Sequence, residues 1–104
     1  MIKLFNTGET QETLRQDYNP DGSVLRRAQL RMLDMAIYLQ ETAKKIGIPL
    51  RLDGGNVLGA LRHGGFIPWD DDIDMVINQK DFKRFCDYLK AHPHPNYVLS
   101  LIHI

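Results

Sequence analysis

Apolar residues in the first half of the chain recur at helical spacing. Leu25, Ala28, Met32, Met35, Leu39, Ala43 and Ile46 follow one another at three- and four-residue steps, which is how a helix lays one stripe against a core. Leu30, Leu33 and Ile37 add a second apolar row. The helix, predicted over about 23–46, is therefore expected to be buried on more than one side. A turn signal, Asn19-Pro20-Asp21-Gly22, precedes it, and Ser23 stands where an N-cap belongs. Lys44 and Lys45 suit its last turn and Gly47 its C′ position.

Beyond that helix the pattern alternates. Residues 48–53 (IPLRLD) read as a short strand, with Pro49 marking an edge or first position. Gly54-Gly55 breaks it, and residues 56–63 (NVLGALRH) form a short helix. Glycine and proline make 64–69 a loop, and residues 72–77 (DIDMVI) read as a second strand. Phe82, Phe85, Cys86 and Leu89 share one face of a helix over 81–91, which His92-Pro93-His94-Pro95 ends. Residues 97–104 (YVLSLIHI) read as a third strand, and residues 1–19 are polar with a weak apolar start at Ile2, Leu4 and Phe5. The order predicts an α/β (α+β) layer with helices against a small mixed sheet.

Composition narrows the class. The 104 residues allow one small domain, and 43% hydrophobic with 25% charged residues is ordinary for a globular chain. Thirteen basic and thirteen acidic residues cancel, which argues against a basic grip on nucleic acid or a polybasic membrane surface. The single cysteine, Cys86, excludes an internal disulfide and fits a reducing compartment. On an apolar helix face it is expected to be a buried, inert thiol. No apolar run approaches the roughly 20 residues of a membrane span.

Neutrality hides one asymmetry. Asp53, Asp70, Asp71, Asp72 and Asp74 lie within 22 residues, with Arg62 the only Lys or Arg among them. Alternation along that strand puts Asp72 and Asp74 on one face and Ile73 on the other, and Asp70 joins the two acids if the strand begins early. Carboxylates crowded on one face repel, and a hard divalent cation resolves that repulsion while keeping positions open for phosphate oxygens. A calcium loop is excluded, because Met75 occupies the sixth position and Val76-Ile77 cannot be ligands. The glycine pair fits the same chemistry: it lets the backbone approach an anion at a helix N-terminus. Arg62 could add a bidentate phosphate contact. His92 and His94 read as loop residues, and Trp69 as structural in preference to a platform for a cation.

The stretch from Leu52 to Asp74, with Asp53-Gly54-Gly55-Asn56, Arg62-His63-Gly64-Gly65-Phe66-Ile67-Pro68-Trp69 and Asp70-Asp71-Asp72-Ile73-Asp74, resembles the signature of the LicD family. These are phosphocholine transferases of bacterial surface glycans, related to fukutin and the fukutin-related protein. The resemblance spans about 22–91. It implies a nucleotidyltransferase-like fold of the DNA polymerase beta superfamily, of which 22–104 would be the N-terminal part and 1–21 an extension. It implies a catalytic, metal-holding pair at Asp72 and Asp74, with Asp70 as a further ligand, and donor-phosphate binding by Gly54, Gly55, Asn56 and Arg62. Mg²⁺ or Mn²⁺ is the implied cofactor. The implied reaction moves a phospho-alcohol from a CDP donor such as CDP-choline to a glycan hydroxyl, in the cytoplasm and at the membrane periphery. A nucleotidyltransferase and a non-catalytic binding remnant are the alternatives. The superfamily's third carboxylate has no strand to come from after Asp74, since Asp81 and Asp87 fall on a predicted helix. The chain is thus expected to be an N-terminal portion, completed by a partner chain or a second copy at an exposed sheet edge.

Overall fold

A computed structural model describes residues 11–100. Its elements, in order, are α1 (Gln11–Tyr18), α2 (Val24–Lys45), β1 (Leu50–Leu52), α3 (Gly55–His63), β2 (Met75–Ile77) and α4 (Gln79–Ala91). The apolar start at Ile2, Leu4 and Phe5 lies outside the described residues.

The long helix begins and ends where its sequence says it should. The Ser23 hydroxyl accepts from the Arg26 amide at 3.2 Å, which satisfies one of the first-turn donors. Gly47 turns the chain with φ +72°, a conformation that other residues rarely adopt. Ile48 then donates its amide to the Ala43 carbonyl at 2.8 Å and enters the core.

β1 and β2 pair antiparallel, with Leu50 opposite Ile77, Arg51 opposite Val76 and Leu52 opposite Met75. The sheet is thus a two-stranded antiparallel ribbon among the described residues, where the sequence suggested a mixed sheet. The expected third strand is not formed over 97–100. Aromatic packing holds that segment to α2 instead: the Tyr97 ring stacks on His94 at 4.3 Å and lies 5.7 Å from Tyr38. Residues 101–104, the rest of that strand, lie outside the described residues.

The core sits at one end, where Ala43, Ile48, Leu50 and Phe85 meet, flanked by Leu39, Ile46, Met75, Ile77 and Leu89. Burying a side chain the size of Phe85 contributes about 1.5–3 kcal/mol. Cys86, beside it, is buried as expected. The second apolar row of α2 is not. Leu30, Leu33 and Ile37 are each more than 40% exposed. They line an open cavity of about 560 Å³ whose far wall includes Leu52, Ala60, Phe66, Ile73 and Met75. No helix among the described residues is long and apolar enough to cross a membrane.

Candidate functional site

The chain leaves β1 at Leu52 and turns at Gly54, whose φ of 56° and ψ of −132° are closed to side-chain-bearing residues. That turn starts α3. Twenty residues on, the acidic segment runs back antiparallel to it, and the Asp53 amide donates to the Asp74 carbonyl at 2.9 Å. The glycine pair and the acids are thereby brought together. A methyl built on Gly55 would stand 3.0 Å from an Asp70 carboxylate oxygen, and one on Gly54 would stand 3.8 Å from Asp74 Oδ2.

Three of the carboxylates form one oxygen-donor group. Atoms of Asp70, Asp71 and Asp72 lie within 4.8 Å of one another. Asp74 is not of the three, yet its charge is the foremost reason that the Asp72 carboxyl titrates above the ordinary aspartate range. Desolvation, Asp70 and Asp71 push the same way. Strand alternation is not what gathers these groups. β2 begins only at Met75, so Asp72 and Asp74 lie on the lead-in to it, and their placement comes from backbone tethers.

The first tether is Asn56. Its Nδ2 donates to the Asp72 carbonyl at 3.1 Å, and its Oδ1 accepts from the Asp74 amide. Both ends of this buried side chain are committed to the acidic backbone. Its own amide donates to the Asp53 carbonyl, and that of Val57 to the Gly54 carbonyl, both at 3.2 Å. This leaves Gly54 and Gly55 as the amides of the turn to meet an anion. Arg62 is exposed in the last turn of α3. It stands seven residues below Gly55, about 10 Å along the axis, so α3 separates it from the glycine turn.

The second tether crosses from α2. Gln29, fully buried, donates through Nε2 to the carbonyls of Asp70 at 2.8 Å, Ile67 at 3.4 Å and Pro68 at 3.4 Å. Its Oε1 accepts from Asn19 Nδ2 at 2.8 Å and from Arg26 at 3.1 Å. Asn19 Oδ1 in turn accepts the Ser23 hydroxyl at 2.7 Å. Asn19 and Gln29 were not candidates from sequence. The available signal was position: Gln29 lies between Leu25 and Met32 at helical spacing, an amide on a core-facing stripe.

Close packing completes the loop. A methyl on Gly59 would meet the Gly65 carbonyl oxygen at 2.4 Å and the Ile67 nitrogen at 3.0 Å, so α3 and the 64–67 segment touch backbone to backbone. His63 is buried beside them. Its imidazole titrates below the ordinary histidine range, chiefly because of burial and secondly because of Arg62. Trp69 is exposed, edge-on to Tyr18 at 5.8 Å and to His63 at 6.3 Å. The later acids are engaged on α4: Asp87 pairs with Lys83 at 2.7 Å, and Asp81 contacts Arg84 at 3.5 Å. His92 stacks on Tyr88 at 4.2 Å, and His94 joins the Tyr97 cluster.

Comparison with known proteins bears on the same segment. The family model described as LicD/FKTN/FKRP, nucleotidyltransferase domain, matches residues 47–101. The chain is 40% identical over 76 residues to the lipopolysaccharide cholinephosphotransferase LicD of Haemophilus influenzae, covering 73% of this chain and 29% of that protein. It is 41% identical over 60 residues to the human ribitol 5-phosphate transferase FKRP, covering 51% of this chain and 12% of that one. With the mouse ribitol-5-phosphate transferase FKTN it shares 34% identity over 67 residues, 64% of this chain and 14% of the relative. The chain thus spans less than a third of the length of these relatives. No solved structure matches it.

Proposed function

Because the chain belongs to the LicD/FKTN/FKRP family, we propose that it carries the donor- and metal-binding part of a transferase that moves a phospho-alcohol from a CDP-activated donor to a glycan hydroxyl. One observation carries the reading: the glycine turn opening α3 lies directly against the carboxylates that crowd ahead of β2. Relatives named for cholinephosphate and ribitol phosphate transfer support the class of group moved.

The donor set fits a hard divalent cation such as Mg²⁺ or Mn²⁺, since it is all carboxylate oxygen and its mutual repulsion already disfavours ionised Asp72. Asp72 would hold the ion with Asp70 and Asp74, and Asp71 is close enough to share in it. When bound, such an ion neutralises charge on a diphosphate and on the departing nucleotide. The chain's own residues do the rest. Gly54 and Gly55 bring amide donors to the phosphates without a side chain in the way. Asn56 keeps the acidic backbone at the turn. Arg62, at the far end of α3, reaches a different part of a ligand than the glycines do. Catalysis of this kind is positioning and charge stabilisation, with no covalent enzyme intermediate required.

Calorimetric titration with Mg²⁺ and CDP-choline tests this. Wild type is expected to bind the nucleotide only with Mg²⁺ present, and Asp72→Asn to lose that Mg²⁺-dependent binding while keeping its circular dichroism. Equal Mg²⁺-dependent binding by both proteins overturns the assignment.

A second reading, that this chain binds donor and metal but needs further polypeptide to catalyse, is favoured by the ribbon. Each of its two strands has one unpaired edge among the described residues, and α4 rather than a strand carries the later acids. Addition of a partner fragment restoring transfer would establish it.

A further inference from the structure

We infer that Gln29 is a positioning residue for the acidic segment, acting through the backbone of residues 67–70 with Asn19 as its orienting partner. The inference rests on the metal reading of Asp70–Asp72 proposed above.

A glutamine side chain has two donor hydrogens and two acceptor lone pairs. Gln29 places both kinds: two acceptor contacts, to Asn19 and Arg26, and donor contacts to the loop carbonyls of Ile67, Pro68 and Asp70, of which Asp70 at 2.8 Å is the shortest. The side chain is wholly buried, as are those of Asn19 and Pro68. Free rotation of the amide would exchange donor for acceptor and set an oxygen against carbonyl oxygens. Asn19 prevents that, because its Nδ2 requires the Gln29 oxygen and its own oxygen is held by Ser23.

The network spans a long sequence gap. Gln29 and Asp70 are 41 positions apart, and both Asn19 and Gln29 precede the region that the family model matches. An aliphatic residue would not serve here: it would take this donor from the Pro68 and Asp70 carbonyls and leave Ile67 with the Asp70 amide alone. The Asp70 carbonyl is fixed by this contact while the Asp70 amide donates to Ile67 at 2.9 Å. With Asn56 gripping Asp72 and Asp74 from the other side, the acidic run is clamped at both ends. Ligand groups held by such outer contacts keep their geometry before an ion arrives.

The experiment compares the full chain with Gln29→Met, Asn19→Ala, Thr42→Val and Asp72→Asn. Methionine keeps the volume of glutamine and removes its hydrogen bonds. Thr42→Val removes a part-buried bond to the Tyr38 carbonyl on α2, away from the loop, and serves as the control for loss of a polar contact alone. Free Mn²⁺ is followed by electron paramagnetic resonance, and amide exchange of Asp70 is followed without metal. Gln29→Met is expected to weaken Mn²⁺ binding about tenfold or more, the effect typical of losing an outer-sphere contact. Asp70 exchange should quicken about tenfold while Cys86 exchange on α4 stays within twofold of wild type. Asn19→Ala should shift both readouts in the same direction by about threefold, and it decides the matter if Gln29→Met does not fold. Mn²⁺ affinity and Asp70 exchange that match those of Thr42→Val overturn the inference. Asp72→Asn binding Mn²⁺ as tightly as wild type overturns the metal reading instead, and the Asp70 amide then judges the tether by itself.

Discussion

The two ends of this molecule are held by different forces. Where α2 ends, β1, β2 and α4 close around Ala43, Ile48, Leu50 and Phe85, an apolar contact with no directional demand. Where α2 begins, Asn19, Gln29, Asn56 and His63 are buried and the loop is fixed by named hydrogen bonds. Apolar burial tolerates small shifts, whereas a saturated carboxamide has one orientation that satisfies it. The soft end thus builds the scaffold and the strict end sets the carboxylates. A residue that must hold a charge in place gains from the second kind of support.

Breaking the soft end should have the largest effect. Phe85→Ala is expected to cost about 3–5 kcal/mol and, because the acidic segment hangs from the β1–β2 ribbon, to take the site with it. Urea titration followed by both circular dichroism and Trp69 fluorescence should give one coincident transition. Separate transitions would mean that the polar end stands without the core.

At the strict end, Gly59→Ala is the sharper probe. Its methyl has no space against the Gly65 carbonyl at 2.4 Å, and overpacking of this kind costs about 1–3 kcal/mol. Exchange should quicken at Asp70 and Asp74 while Cys86 in α4 stays protected, a local loosening that the core end does not share.

A smaller effect with the opposite sign is expected from Asp72→Asn in metal-free protein. The Asp72 carboxyl is held above its ordinary value of 3.8, chiefly by Asp74, so its ionisation is less favourable in the folded chain than in the unfolded one. Its cost to stability is absent below that value, appears as pH rises through the window above it, and is complete at neutral pH. The variant should therefore melt above wild type at neutral pH, and the two curves should converge as pH falls toward 3.8. A variant that melts lower throughout would show that Asp72 supports the loop by more than its charge.

The gentlest test concerns His63. Burial and Arg62 hold its folded pKa below 6.5, so the neutral ring is favoured. Stability is unaffected above that value and declines as pH drops through it. His63→Gln should flatten that part of the melting profile.

The soft end was largely legible in the sequence. The apolar stripe, the Ser23 cap and the glycine at 47 each have a local cause, and the helix spans what they indicate. Other elements depend on distant contacts. α1 has one buried apolar residue, Leu14, and is fixed by the buried Arg15, which pairs with Glu12 and Asp21 at 2.7 Å each; no period of apolar residues could announce it. Residues 97–100 look like a strand but are diverted by Tyr97, whose ring stacks on His94 and packs at a tilt against Tyr38. For the site, the glycine turn and the acids were visible as motifs. That Asn56 serves the backbone, and that Gln29 holds the loop from 41 positions away, could not be seen, because helical spacing puts Gln29 on the core-facing stripe without saying which distant carbonyls it meets.

Trp69 is the chain's single tryptophan, and its indole meets Tyr18 from α1 and His63 from α3 one residue before Asp70. Emission from this protein is therefore a built-in optical gauge, with no label needed. Withdrawal of α1, protonation of the imidazole and filling of the carboxylate cluster would each alter the same indole's surroundings, and time-resolved decay could tell them apart in a single cuvette.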